Sequence, residues 1–446
     1  RVDNYLGLVA ASSVIRPGVS KSGMMREYIL RYRYPERRKE AHPVLHDIMP
    51  ETYGVMVYQE DVIKVAHHFA GLDLGEADVL RRGMSGKFRS REEFAKARET
   101  FIAKAMEKGR KRFLVEEVWR QVESFAGYAF AKGHSASYAV ESYQSLFLKA
   151  HWPLQYMTAC INNFGGFYRT EFYVHEARMV GGHIEAPCLN RGGWEACVDA
   201  SKTRIYLGFN LVRGVQAQVV ANIMKERKAN GSYASLENCI ERNGIALEQC
   251  LVLIRCGGFR FTGKGAQQLQ WEAHFLLGHV RKGQEEATLF TPDISRFTLP
   301  TFEHNDLESA FDQIELFGFP LVSPFRLLTP ESAQQLSQSV RSEALADCIG
   351  KTVNVVGYLV TVKETLTAKR ERMAFGCFVD VEGQWLDTVH FPPSLKEYNF
   401  RGKGIYHIRG PVREEFDCLH VEALFMEKLD YIPDPRYSED GMPVKE

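Results

Sequence analysis

Residues 127–151, which read GYAFAKGHSASYAVESYQSLFLKAH, constrain the fold most, because they join a basic glycine turn directly to a long helical pattern. Lys132, Gly133, His134 and Ser135 lie where the loop gives way to this helix. The free N–H groups of a first helical turn, the helix dipole and a nearby lysine together attract an anion. The stretch therefore predicts a phosphate-binding turn at the start of a helix.

This helix is predicted to have two faces. Side chains recurring at three- and four-residue steps form the face that we expect to pack, namely Ala139, Tyr143, Leu146, Phe147 and Ala150. Ser135, Tyr138 and Ser142 share another side, which we expect to face a ligand. Pro153 ends the helix, because the residue before a proline avoids the α region.

Composition limits the class of protein. The 446 residues are 45% hydrophobic and 25% charged, as expected for a soluble protein of several domains. No apolar run approaches the roughly 18 residues that span a membrane, and the nine scattered cysteines include no C-x-x-C pair. We expect a reducing, cytoplasmic location and neither disulfides nor zinc. Because the sequence begins at Arg1 without a methionine or targeting segment, we also expect a fragment.

The charges are unevenly distributed. Residues 1–151 contain 25 Lys and Arg against 19 Asp and Glu, whereas residues 281–350 contain 5 against 11. A basic first part and an acidic connector indicate that only part of the chain meets a polyanion.

A second basic site is predicted upstream of the first. Residues 58–69, YQEDVIKVAHHF, have the apolar spacing of an amphipathic helix. A short helix follows and carries Arg81 and Arg82 into a glycine-rich turn that also contains Lys87. These groups can converge on phosphate oxygens, although paired arginines at a helix end are also common as plain surface charge. The similar site at Lys132 favours the phosphate interpretation.

The pattern changes near residue 165, where we place a domain boundary before the short β-type runs EACVDAS and TRIYLGF. A helix, a tight glycine turn and a second helix then occur twice, around Gly214 and around Gly257 and Gly258. Such turns let backbone N–H groups approach a DNA phosphate. The repeat predicts a tandem hairpin domain that binds DNA.

Residues 280–346 form an acidic connector, in which EEATLF leads into the apolar pair Leu289 and Phe290. After Gly350 the apolar period becomes two in five successive runs, with turns predicted at Gly383 and Gly410. This indicates a small closed β-barrel of the oligonucleotide-binding (OB) type.

The predicted barrel carries a basic loop that contains Lys369, Arg370 and Arg372. With exposed aromatic side chains, such a loop would suit a single strand of nucleic acid. A barrel that binds only protein is the alternative. The predicted fold class is multidomain α+β.

Several of these motifs together resemble the alpha subunit of bacterial DNA polymerase III, a replicative DNA polymerase of the C family. The resemblance covers nearly the whole chain and rests on RPGVSKSGM (16–24), YGVMVYQEDV (53–62), GEADVLRRGM (75–84), FAGYAFAKGHSASYAVESYQSLFLKAHWP (125–153), the paired hairpins, the short apolar peptide and the barrel. The implied domains are polymerase fingers (1–165), a tandem helix-hairpin-helix domain (166–279), a connector with a clamp-binding-like peptide (280–346), an OB barrel (347–432) and a tail (433–446).

The resemblance also implies site residues and partners. The residues facing the triphosphate of the incoming dNTP would be Arg81, Arg82, Lys87, Lys132, His134, Ser135 and Tyr138. The hairpins would hold primer–template DNA through Arg213, Gly214, Gly257, Gly258 and Lys264, and the barrel would guide the single-stranded template. Leu289 and Phe290 would bind a sliding clamp. Other replicase subunits are also expected partners.

Three positions depart from the family pattern. Ala131 stands where many members have asparagine, Gln216 replaces the usual second glycine of the first hairpin, and Glu286 replaces the glutamine that usually begins the clamp-binding peptide. The change at Ala131 weakens one polar contact, and the change at Gln216 weakens the approach of the backbone to phosphate. The change at Glu286 weakens the clamp-binding motif.

The aspartates of the family's catalytic palm precede the segments that match here. Two-metal phosphoryl transfer needs carboxylates that hold Mg²⁺ ions about 4 Å apart, and Asp73, Asp78 and Asp380 belong to other contexts. We therefore expect the Mg²⁺ ligands of the parent enzyme to lie outside this chain, which alone should not polymerise DNA.

A non-catalytic DNA-binding adaptor in repair or recombination is the alternative function. It accounts for residues 205–430 but not for the basic helical region before them. A nucleotide-binding enzyme unrelated to DNA has less support, because the sequence contains neither a P-loop nor G-x-G-x-x-G.

Overall fold

The computed structural model describes residues 2–16, 19–20, 22–83, 91–124, 130–278 and 306–437. The chain divides into two compact units, Arg1–His151 and Trp152–Glu446. The boundary differs from the one predicted near residue 165, because Leu154, Met157 and Ile161 belong to the hydrophobic core of the second unit.

Within its described residues, the first unit contains helices and no strand, as the sequence predicts. Its helices are α1 (Tyr5–Val14), α2 (Met24–Arg33), α3 (Pro43–Ile48), α4 (Gln59–Lys64), α5 (Leu74–Arg82), α6 (Arg91–Glu107), α7 (Arg112–Ser124) and α8 (Lys132–His151). The π-helical segment Val65–Ala70 continues α4 and ends at Gly71, whose φ of +86° lies in the left-handed region that glycine tolerates.

The apolar spacing predicted for residues 58–69 produces the core of this unit. Val62, Val65 and Phe69 are fully buried. The Phe69 ring stacks on Phe101 with centroids 6.3 Å apart, and Phe101 in turn lies 5.3 Å from the Trp119 ring. Burying an apolar side chain of this size contributes about 1.5–3 kcal/mol, so this cluster fixes α4 against α6 and α7.

The second unit begins with helices and a small sheet. The helices are α9 (Pro153–Asn162), α10 (Thr170–Met179), α11 (Ala217–Asn230), α12 (Leu236–Asn243), α13 (Leu247–Arg255) and α14 (Ala266–Gly278). The strands are β1 (His183–Glu185), β2 (Cys197–Val198) and β3 (Arg204–Tyr206). β3 pairs with β1 in parallel and with β2 antiparallel.

The described part of the connector contains α15 (Asp306–Phe317) and α16 (Pro330–Ser337). Leu316 and Phe317 enter the same core as the preceding helices. Arg436, in the predicted tail, pairs with Asp312 of α15 over 2.6 Å. The start of the tail therefore packs on the connector helix.

The last region contains six strands rather than the predicted five. They are β4 (Thr352–Leu366), β5 (Arg372–Val379), β6 (Trp385–His390), β7 (Ile405–Glu415), β8 (Cys418–Glu422) and β9 (Phe425–Lys428), with α17 (Pro392–Glu397) after β6. The fifth predicted run divides into β8 and β9. Gly410, predicted to form a turn, lies inside β7.

The strand order is β4-β5-β6-β8-β7-β9, and β4 also pairs with β7. This additional pairing curves the sheet round on itself. The parallel junction of β6 with β8 consists of Thr388 opposite Val421 and Val389 opposite Glu422. Because this junction is so short, the sheet is a curved layer with a narrow join rather than the fully closed barrel that we predicted.

Helix α10 holds this sheet against the rest of the second unit. Arg169, just before α10, donates a hydrogen bond to the Leu359 carbonyl oxygen over 3.0 Å. His175 Nε2 donates to the Gly383 carbonyl oxygen over 3.0 Å, and Trp385 Nε1 donates to Glu176 over 3.2 Å. These contacts connect β4 and the β5–β6 turn to the hairpin region.

Candidate nucleotide and DNA interfaces

Helix α8 begins at Lys132, where the sequence predicts an anion site. The Lys132 backbone N–H donates to the Glu60 carboxylate over 2.9 Å, and its ammonium pairs with Glu51. The ammonium also lies 5.5 Å from the centroid of the Tyr58 ring. The hydrogen bond from Lys132 lowers the pKa of Glu51. Both donors of Lys132 are thus directed at anionic groups in this structure.

The arginine pair lies at the end of α5. Asp78, one turn earlier, pairs with Arg81 over 2.8 Å and with Arg82 over 3.0 Å. Arg81 also donates to the Gln59 side-chain oxygen over 3.3 Å. The Gln59 N–H in turn donates to the Phe130 carbonyl oxygen over 3.1 Å, just before α8.

The first turn of α4 therefore contacts both predicted basic sites. Gln59 accepts from Arg81, and the neighbouring Glu60 accepts from Lys132. Sequence reasoning overlooked both residues as site components. An acidic side chain such as Glu60 in a first helical turn is ordinarily assigned to the helix dipole, so the pattern carried no signal for its contact with α8.

Aromatic rings lie beside the start of α8. The centroid of the Phe130 ring lies 5.8 Å from that of His134 and 6.0 Å from that of Tyr138. The Arg16 guanidinium lies 4.2 Å from the centroid of the Phe130 ring. His134 and Tyr138 are exposed. This surface therefore presents aromatic rings and a cation.

Ser135 differs from its predicted role. It is fully buried, and its hydroxyl contacts the hydroxyl of Ser13 in α1. The adjacent Ala136 carbonyl oxygen accepts a hydrogen bond from the Tyr5 hydroxyl over 2.9 Å. Ser135 therefore packs α8 against α1 and does not reach the surface on which we expected it.

The predicted packing face of α8 also differs. Ala139 is buried, but Tyr143, Leu146 and Phe147 are 61%, 57% and 46% exposed, and Ala150 is exposed as well. Helical spacing predicted that these side chains share a face, but it could not show whether another element covers that face.

The first hairpin turn, around Gly214, leads into α11. Gly214 has a φ of +82°, and both it and Arg213 are exposed. The Arg213 N–H donates to the Leu316 carbonyl oxygen over 2.9 Å. Gln249, which is buried, donates to the Gly214 carbonyl oxygen and accepts from the Gln216 N–H. The turn is thus held from α13, and sequence reasoning did not identify Gln249.

The second turn does not have the predicted geometry. The Gly257 N–H donates to the Ile254 carbonyl oxygen over 2.9 Å, and the Gly258 N–H donates to Leu253 over 2.8 Å. Gly258 is also buried. Both groups terminate α13, so neither is directed toward a phosphate as we had expected.

The exposed glycines of this hairpin lie a few residues later, before α14. Gly263, with a φ of +72°, and Gly265 flank Lys264, and an added Cβ would meet no atom within 4 Å at either glycine. The Lys264 ammonium pairs with Glu272 over 2.6 Å. This segment, rather than Gly257 and Gly258, presents open backbone at a helix start.

The basic loop of the sheet connects β4 to β5. Lys369 and Arg370 are exposed, and Arg370 has a φ of +62°. The Arg370 N–H donates to the Thr367 carbonyl oxygen over 2.8 Å. Arg372 pairs with Glu364 across the hairpin over 2.6 Å. The loop therefore presents Lys369 and Arg370 at its tip and engages Arg372 in a cross-strand pair.

Three predicted site residues, Lys87, Leu289 and Phe290, lie outside the described residues. Among the residues that are described, no group of three or more His, Cys, Asp or Glu side chains could hold a metal ion. We assign no chemical step to a metal here. The described helices include none with the length and apolarity needed to span a membrane.

Two family models match the chain. One, described as the bacterial DNA polymerase III alpha subunit finger domain, matches residues 1–109. The other, described as a helix-hairpin-helix motif, matches residues 181–269. A finger domain followed by a helix-hairpin-helix region places the chain in the class of DNA polymerases.

Individual relatives agree with this class. The DNA polymerase III subunit alpha of Treponema pallidum is 30% identical, over 88% of this chain and 34% of the relative. The same subunit of Borreliella burgdorferi is 30% identical, over 96% of this chain and 38% of the relative. The subunit of Saccharopolyspora erythraea is 33% identical, over 88% of this chain and 35% of the relative. The chain belongs to the family of bacterial DNA polymerase III alpha subunits. It spans about a third of the length of these relatives.

Proposed function

We propose that this chain binds the incoming dNTP and grips primer–template DNA in a DNA-directed DNA polymerase that acts in replication. The observation that carries the proposal is the meeting of Arg81 and Lys132 at the first turn of α4. These residues come from separate helices, α5 and α8, and one triphosphate could engage both. The match of residues 1–109 to a polymerase finger domain supports this function over a non-catalytic adaptor.

The nucleotide site uses charge and position. The Arg81 and Arg82 guanidiniums and the Lys132 ammonium neutralise the triphosphate, because charge-assisted hydrogen bonds to phosphate are strong and directional. His134 and Tyr138, exposed beside Phe130, contact the same nucleotide. Lys87 completes the set. The site thereby holds the reacting phosphorus in place for attack by a primer hydroxyl. Ser135 acts only through packing.

The second unit grips DNA. The exposed turn at Arg213 and Gly214 approaches the duplex backbone at the start of α11, and Lys264 with its flanking glycines does the same at the start of α14. Lys369 and Arg370, at the tip of an OB-type domain, contact the single-stranded template.

Nucleotidyl transfer belongs to the complete cytoplasmic polymerase, whose Mg²⁺ ligands lie outside this chain. Leu289 and Phe290 bind a sliding clamp, and other replicase subunits are further partners.

The nucleotide site is tested by titrating the chain with dATP. Removing one charge-assisted contact costs about 1.5–3 kcal/mol, so Lys132→Ala or Arg82→Ala should weaken binding about 10- to 100-fold. Arg120→Ala is the matched control, because Arg120 lies in the same unit and pairs with Glu117 on the exposed surface of α7. Unchanged dATP affinity in both test variants would remove the triphosphate assignment.

Salt dependence tests the DNA interface. Each phosphate contact on a duplex contributes about −0.9 to the slope of log affinity against log salt concentration. Arg213→Ala should therefore flatten the slope by about that amount on duplex DNA, whereas a double substitution of Lys369 and Arg370 by alanine should act mainly on single strands. A wild-type affinity independent of salt would contradict both assignments.

A further inference from the structure

Among the described residues of the proposed nucleotide site, Arg81, Arg82 and Lys132 each already contact a carboxylate. Asp78 pairs with Arg81 and Arg82, and Glu51 pairs with Lys132. The Asp78 pairs join residues one turn apart on one helix, a common surface arrangement. The pair between Glu51 and Lys132 joins residues 81 positions apart, so the fold itself must bring these two side chains together.

A rigid turn positions Glu51. It belongs to the short helical turn Pro50–Thr52, followed by Tyr53 and Gly54, whose φ values are +56° and +74°. The Thr52 hydroxyl donates to the Val55 carbonyl oxygen over 2.6 Å. The Gly54 N–H donates to the Met49 carbonyl oxygen over 2.9 Å. These bonds hold the turn in a conformation that side chains seldom adopt.

The turn is also held from outside. Arg31 donates to the Tyr53 carbonyl oxygen over 3.0 Å, and the Arg38 guanidinium lies 4.1 Å from the centroid of the Tyr53 ring. Two elements thus hold the residues beside Glu51. The backbone next to Glu51 is therefore held in place, and the Glu51 carboxylate extends from it to the Lys132 ammonium.

Glu51 and Lys132 also line one cavity of about 250 Å³, together with Tyr28, Tyr53 and Tyr58. The Glu51 side chain is 53% exposed and that of Lys132 is 33% exposed. The pair is therefore open to a ligand from solvent, and the Glu51 carboxylate can become hydrated when it leaves the ammonium.

We propose that Glu51 is a placeholder that holds the Lys132 ammonium in position until the triphosphate displaces it. This inference rests on the proposed function. A carboxylate and a phosphate compete for the same ammonium, so Glu51 lowers nucleotide affinity while keeping the lysine ordered. Glu51 is a positioning residue and takes no part in phosphoryl transfer.

Binding of inorganic tripolyphosphate and of dATP to the full chain tests the proposal. An exposed ion pair is weak, so Glu51→Gln should tighten binding of both ligands about three- to tenfold, the larger value including lost repulsion between Glu51 and the phosphates. Glu117→Gln, which breaks the exposed pair with Arg120, should change neither affinity. In the Lys132→Ala background, Glu51→Gln should tighten binding less than in the wild type, because only the repulsion remains to be lost there.

The reactivity of Lys132 gives a second readout that needs no nucleotide. Acetylation of Lys132, followed by mass spectrometry, should be faster in Glu51→Gln than in the wild type. An unchanged rate would show that the pair does not hold the ammonium and would overturn the proposal.

The binding outcomes separate the two proposals. Unchanged or weaker binding by Glu51→Gln, with Lys132→Ala still weaker than the wild type, overturns the placeholder and leaves the nucleotide site in place. Unchanged binding by Lys132→Ala removes Lys132 from the nucleotide site and overturns the placeholder with it. Unchanged binding by both Lys132→Ala and Arg82→Ala overturns the nucleotide site itself. Tighter binding by Glu51→Gln that is smaller in the Lys132→Ala background supports both. Equal tightening in the two backgrounds would be repulsion alone and overturns the placeholder.

Discussion

The side chain of Gln249 donates a hydrogen bond to the carbonyl oxygen of Gly214 over 2.9 Å. Its own oxygen accepts from the Gln216 N–H over 2.8 Å. One buried amide thus bonds to both sides of the first hairpin turn. Because Gln249 belongs to α13, the second helical repeat determines the shape of the turn that begins the first.

Gln249→Leu should therefore loosen the turn. The substitution leaves a buried donor and acceptor without partners, at a cost of about 1–3 kcal/mol. We expect lower protection of the Gln216 amide from hydrogen exchange, and weaker duplex binding. Gln218→Leu is the control, because Gln218 is exposed and bonds to Asn222 in the same helix. Equal effects of the two substitutions on duplex binding would contradict this assignment.

Ser135→Ala should separate packing from ligand binding at the start of α8. It removes the contact with Ser13 inside the first unit, so we expect a loss of about 1 kcal/mol in unfolding free energy. The affinity for dATP should remain within about twofold of the wild type. A loss of dATP binding like that of Lys132→Ala, without loss of stability, would return Ser135 to the nucleotide site.

Gly410→Ala should disrupt the curved sheet. A Cβ at Gly410 would lie 1.8 Å from the Glu422 carbonyl oxygen, so β7 and β8 must separate. We expect a loss of several kcal/mol, as for other overpacked sites, measured by hydrogen exchange of amides in β7. Gly265→Ala is the control, because its Cβ would meet no atom within 4 Å. Similar exchange in the two variants would contradict the close approach.

Acid should destabilise the sheet through His390. The ring is fully buried, Nε2 contacts the Thr388 hydroxyl at 2.8 Å, and burial lowers the pKa of His390 to about 4. Between this value and the ordinary pKa near 6.5, the unfolded chain binds more protons than the folded one. Stability should therefore fall as pH drops from 6.5 toward 4, by about 2–3 kcal/mol.

The measurement is urea unfolding at pH 7 and at pH 5, followed by hydrogen exchange of the amides in β5 and β6. In His390→Gln, the part of the pH dependence that arises from this ring should disappear. An identical pH dependence in the variant and the wild type would assign the acid effect to other groups.

Local patterns predicted much of the architecture. The spacing of Val62, Val65 and Phe69 predicted a helix and its buried face, and the two-residue period after Gly350 predicted strands. The resemblance correctly identified the family from motifs such as those around Arg81 and Lys132. These features depend on neighbours a few residues apart, so they are visible in the sequence.

Other features depend on contacts between distant parts of the chain. Periodicity grouped Ala139 with Tyr143 on α8, yet only Ala139 is covered. Gly257 and Gly258 were predicted to approach DNA, but their N–H groups end a helix. A glycine in the sequence indicates that the backbone needs space or conformational freedom at that position. It does not show whether a ligand, a helix end or a neighbouring strand requires it.

By itself, the sequence determined the helical first unit, the alternating pattern of the strands and the family, because short-range periodicity and motif chemistry encode them. Only the tertiary structure decided that Glu51 and Glu60 contact Lys132, that Ser135 is buried and that Gln249 shapes the first hairpin. Each of these contacts joins residues tens of positions apart. These residues come together because whole helices pack against one another. No single stretch of the sequence encodes that packing.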